Sequence, residues 1–247
     1  MLIAGAVCPH PPLLIPAALG AAADDPPAEL RKVADAAAQA VAGLLASRPD
    51  LIVAVGGAPA DHEYDAEASG DLRGFGVAAA VGVGEPVLPL SLMVGRWLLE
   101  RAGVLGAGGS GRGAADPAVT FRAVNQRALG ADCLRLGEKI AGRAPRVALL
   151  AMGDASARRA RAAPDVPDPR AEEYDEDVAE ALAAADTRWL ARLDPALDDE
   201  LVVAGRAAWQ VLAGAANGQR LHGRLRCMAC PYGVTYLVAS WEEPDTG

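Results

Sequence analysis

Three short, uninterrupted apolar runs, each ending at a turn signal, constrain this 247-residue chain more than any other feature. Leu2 to Cys8 stops at Pro9-His10-Pro11-Pro12, Leu51 to Val55 stops at Gly56-Gly57, and Val147 to Met152 stops at Gly153. Runs this short and this apolar read as strands buried on both faces. Between the first two, Pro26 and Pro27 open a helix to about Ser47, with Leu30, Val33, Ala37, Val41 and Leu44 on one face. Strand, helix and strand at these lengths make a βαβ unit, which requires a parallel sheet and a right-handed crossover.

The rest of the chain extends the pattern. Helices are predicted from Leu90 to Ala102, from about Ala128 to Ile140, from Arg170 to Leu190 and from Asp199 to Ala215. Further strands are predicted at Val119 to Val124 and Val234 to Trp241. A long polar stretch from Ala58 to about Gly84 has little periodicity, and loops of that length are often functional. No repeat or linker divides the chain. The expectation is a single α/β domain spanning 1–247, with a central, mostly parallel sheet and helices on both faces.

Charge and composition narrow the partners. A net charge of -9 without a long basic run argues against nucleic acid, which needs a concentrated basic face. The densest basic spot, Arg158, Arg159 and Arg161, is cut by alanine and reads as a solvated face. Four cysteines in a chain this long do not make a disulfide framework. The apolar N-terminus lacks the basic start of a signal peptide, and no segment suits a bilayer span, so the expected location is the cytoplasm with no membrane partner.

In open parallel sheets, ligands sit outside the carboxyl ends of the strands. Two of the three histidines, His10 and His62, follow the first two strands, and Gly153-Asp154-Ala155-Ser156-Ala157 follows the strand ending at Met152. Two readings of the histidines stay open. They could converge on a divalent metal, completed by a nearby carboxylate. Alternatively, His10 caps a proline turn and His62 is an exposed loop residue.

Other motifs carry less. Cys227-Met228-Ala229-Cys230 has the spacing of half a zinc site but lacks a second pair, so two reduced thiols are expected, with copper(I) ligation the alternative. Gly106-Ala107-Gly108-Gly109-Ser110-Gly111 fits a dinucleotide fingerprint literally, but it follows a helix and reads as a glycine loop. Ser110 and Ser156 lack the elbow motif of a serine hydrolase.

The segment Ala4-Gly5-Ala6-Val7-Cys8-Pro9-His10-Pro11-Pro12-Leu13-Leu14-Ile15-Pro16 resembles the opening of class III extradiol ring-cleavage dioxygenases of the LigB type, whose fold the Memo-like proteins share. The resemblance continues through Leu88-Pro89-Leu90-Ser91-Leu92, Leu149 to Arg158, Val203 to Leu212 and Pro231 to Tyr236, and is nearest to the small actinobacterial-type branch. It implies a LigB/Memo-like fold, a small aromatic molecule as substrate, self-association or a partner subunit, and non-haem Fe(II) held by two histidines and a carboxylate. By that resemblance His10 and His62, the latter preceded by Asp61, take the places of the histidine ligands.

Two departures limit what carries over. The family's acid-base histidine belongs where Ala157 stands, and the third ligand belongs near Ala204-Gly205, where no ligand side chain is present. Loss of the acid-base group removes proton transfers worth about 10²–10⁴ in rate. The expectation is therefore a degenerate centre that binds a metal or small molecule, with Asp154 as the candidate catalytic residue and Asp61, Asp154 and the loop from Ala58 to Gly84 lining the cleft. An active metal-dependent oxygenase drawing on His222, Asp154 or a cysteine is the alternative, and a non-catalytic interaction protein the second. Glu242 and Glu243 are weak substitutes for the missing ligand.

Overall fold

The computed structural model describes residues 1–106, 116–159 and 167–244. Most of the glycine motif at 106–111 lies outside them, as does Arg161. The central sheet has seven strands: β1 (Leu2–Cys8), β2 (Leu51–Ala58), β3 (His62–Tyr64), β6 (Ala118–Asn125), β7 (Val147–Met152), β8 (His222–Ala229) and β9 (Tyr236–Glu242). Their order is β3-β6-β2-β7-β1-β9-β8. A two-stranded ribbon, β4 (Gly70–Asp71) with β5 (Ala80–Val81), forms separately.

The four inner strands β6, β2, β7 and β1 run parallel, while β3, β9 and β8 are antiparallel additions at the two sides. The three apolar runs are the three most central parallel strands, and every residue of each is buried. Alternate side chains feed two separate cores. Ile52, Ala54, Ala148, Leu150 and Met152 face α1 (Ala28–Ala46) and α2 (Leu90–Arg101). Val53, Val55, Val147, Leu149 and Ala151 face α3 (Gly130–Ala141), α4 (Arg170–Ala183) and α7 (Arg206–Ala215). Helices thus cover both faces, as the sequence predicts.

The stripe foreseen on α1 is buried as expected. Two predicted helices are broken instead. The 170–190 segment divides at Ala185, which has φ of 51°, and Asp186 caps the short α5 (Thr187–Leu190) by accepting from the Arg188 and Trp189 N–H groups. The 199–215 segment divides into α6 (Pro195–Leu201) and α7, because Val202 adopts φ of 55° and ends α6. The polar stretch after β2 is not one loop. It supplies β3 to the sheet edge, and its ribbon packs on α2, where Arg96 donates to the Ala66 carbonyl and pairs with Glu100 at 2.9 Å.

Candidate functional site

At the carboxyl ends of β1 and β7, His10 and Asp154 come together. Asp154 Oδ1 accepts the His10 backbone N–H at 2.8 Å and lies 3.6 Å from His10 Nδ1. His10 is 9% exposed, and its Nδ1 is buried without a hydrogen-bond partner. The proline turn fixes this arrangement, because Leu14 and Ile15 donate back to Pro11 and Pro12 and leave the His10 N–H for Asp154. Tyr236, buried at the start of β9, belongs to the same neighbourhood. Burial raises its phenol well above the ordinary range, and the Asp154 carboxylate and the Cys230 and Tyr232 groups add to the shift.

His62 is elsewhere. After Ala58 the chain reverses, and the Asp61 carboxylate accepts the Asn125 N–H at 2.8 Å, starting β3 on the outer side of β6. The register aligns His62 with Ala123, Gly56, Met152 and Cys8 across successive strands. Four strand spacings separate His62 from β1, about 19 Å at the usual interval. Two imidazoles on one metal each need a nitrogen about 2.1 Å from it, which side chains this far apart do not reach. His62 is exposed, its ring 4.4 Å from that of Tyr64. Strand order, not side-chain type, thus sets His62 apart from the strand that leads into His10.

The proposed substitutes fail for a similar reason. His222 pairs with Glu242, and Glu242 with Ala4, so all three lie toward the opposite end of β1 from His10. Six residues of extended chain between Ala4 and His10 correspond to about 20 Å. Cys227 lies within β8 and Cys230 just beyond its end, about 10 Å apart along an extended strand, too far for a chelate or a disulfide. Among the described residues, no group of three His, Cys, Asp or Glu side chains is placed to hold a metal.

The place of the missing third ligand is closed by backbone. Ala204 donates its N–H to the Asp154 carbonyl at 3.1 Å, and a Cβ on Gly153 would stand 2.2 Å from the Gly205 Cα. A Cβ on Gly205 would in turn meet the Trp209 ring at 2.1 Å. Ala157 donates to the Leu201 carbonyl at 3.0 Å, Ala155 donates to the Thr235 carbonyl at 2.9 Å, and Thr235 donates to the Ser156 carbonyl at 2.9 Å. The residues present do not fit an Fe(II) ion held by two histidines and a carboxylate.

Two buried polar groups escaped the sequence reading. Asp175 accepts from both the Ser156 N–H (2.9 Å) and the Ser156 hydroxyl (2.7 Å), locking the loop after β7. Burial raises its carboxyl above the ordinary range. Asp198 accepts from the Tyr174 hydroxyl and pairs with Arg206 at 3.0 Å. Arg206 also donates to Gln210 and to the Ala128 and Gln126 carbonyls. Burial pushes Asp198 up to about 6 against the opposing pull of Tyr174 and Arg206. One signal for Asp175 was available: it falls on the apolar stripe of α4, between Ala171 and Val178.

No family model matches the chain, and no curated protein matches it. Solved structures that match include an uncharacterized protein from Escherichia coli K12, JW3007, at 14% identity and a TM-score of 0.48. The match covers 97% of this chain and 99% of that one. A likeness at that level leaves family and activity open. No helix among the described residues is long and apolar enough to cross a membrane.

Proposed function

We propose that the chain is a relative of the class III extradiol dioxygenases that does not cleave aromatic rings and uses the fold to bind a small molecule or a partner subunit. The opening segment through His10 and Pro16 supports the relationship. The observation that supports the loss of ring cleavage is the strand order, in which β3, carrying His62, lies four spacings from β1, whose end leads into His10. Alanine at 157 and the packed Gly153–Gly205 contact support the same reading from the base and the third ligand.

His10 and Asp154 are the chemically most distinctive pair that remains. Their role in this reading is to order the strand ends around a buried imidazole. The test is oxygen uptake by anaerobically iron-loaded, untagged protein given catechol. No uptake above free iron is expected; iron-dependent uptake that disappears in His10→Ala would overturn the proposal in favour of an active oxygenase with unusual ligands.

A further inference from the structure

Between α4, α5 and α6 lies a cavity of about 400 Å3, on the face of the sheet covered by α3, α4 and α7. Its volume is in the range of small-molecule sites. Tyr174, Trp189, Leu193 and Leu197 supply apolar and aromatic wall. Tyr174 and Leu193 are each only 7% exposed, and the Tyr174 hydroxyl is already committed to Asp198, so it presents a ring and not a free donor. The Tyr174–Asp198–Arg206–Gln210 chain holds that wall in place from behind.

The charged lining sorts into used and unused groups. Arg170 is held by Asp168 at 2.6 Å and Glu200 at 2.7 Å, and Asp194 caps α6 through the Ala196 N–H. Glu173 and Asp177, four residues apart on α4, line the cavity with no ion pair among the described residues. Arg192 is exposed at the same rim, so the unspent lining charge is negative by one. Indole and phenol faces attract cations and repel anions, and the chain's net charge of -9 acts in the same direction.

From these walls and charges we infer that this cavity binds a small aromatic amine, its ring against Trp189 and Tyr174 and its ammonium at Glu173 and Asp177. The inference stands apart from the reading of the strand ends and does not depend on it.

Titration calorimetry on the full chain tests it with two probes of one shape, tryptamine and indole-3-propionate. Tryptamine is expected to bind at least about tenfold more tightly than the anion. Glu173→Gln with Asp177→Asn, both exposed positions, is expected to weaken tryptamine about tenfold and to leave indole-3-propionate unweakened. Trp189→Leu is expected to weaken both. No heat with tryptamine, equal affinity for the two probes, or an unchanged double variant would each overturn the assignment.

Discussion

His10 and Asp154 are joined across two adjacent parallel strands by one oxygen, which accepts the His10 N–H at 2.8 Å and stands 3.6 Å from its ring nitrogen. The contact is made at the point where β1 gives way to its proline turn, so it fastens the turn to the loop after β7. Asp154→Ala leaves a backbone donor unsatisfied at a nearly buried site, and a loss of about 1–3 kcal/mol in urea unfolding is expected. Asp154→Asn keeps an acceptor oxygen, so a loss of less than half as much is expected. Equal losses for the two variants would show that the carboxylate's charge, not its acceptor oxygen, holds the turn.

A second prediction concerns repair of the missing ligand. Gly205 lies with its Cα where a Gly153 side chain would be and under the Trp209 ring. Gly205→Ala should cost about 3 kcal/mol, the upper end of overpacking effects, because backbone and a fully buried indole must both move. Gly205→Glu should fail to fold well enough to purify. Ala204→Glu, at a partly exposed position, should fold and still bind no iron. Native-like melting of Gly205→Glu would contradict the packing described.

The pH dependence of stability should carry the mark of Asp198. Its folded-state value of about 6 lies above the ordinary carboxylate value, so the folded chain keeps a proton that the unfolded chain has released. Its contribution is therefore full below about pH 4 and falls as pH rises to about 6, with no further change above. The difference in urea midpoint between the parent and Asp198→Asn should shrink over that interval. A difference that grew with pH would mean that Arg206 outweighs burial.

Thiol labelling should divide the four cysteines two and two. Cys8 and Cys133 are buried, and burial raises the Cys8 thiol to about 12 and Cys133 above its ordinary value. Only Cys227 and Cys230 should react with a thiol reagent in the native chain, and air oxidation should not join them. A Cys227–Cys230 disulfide in the folded protein would contradict the register of β8.

The parts of this fold legible in the sequence are those where burial is complete. β1, β7 and the 51–55 part of β2 are buried at every residue and therefore read as unbroken apolar runs, whereas Gly56 and Gly57, expected to end the strand, continue it to Ala58. β8 was missed because it is an edge strand: Arg224 and Arg226 alternate with half-buried Leu225 and Cys227, and no apolar run appears. The break between α6 and α7 was missed because Val202, a residue that rarely enters the left-handed region, makes it in place of glycine. The site divides along the same line. Local pattern puts His10 and Asp154 each just past a strand end, but their contact depends on β1 pairing with β7, and the place of His62 on three residues pairing with β6, and no local pattern encodes either pairing.

The central claim is that His10 and His62 do not share a metal. Anaerobic loading of the untagged protein with Fe(II), followed by desalting and metal analysis of the parent, His10→Ala and His62→Ala, tests it directly. The account predicts well under one iron per chain in the parent and no common loss in the two variants. About one iron per chain in the parent, abolished by either substitution alone, would contradict it.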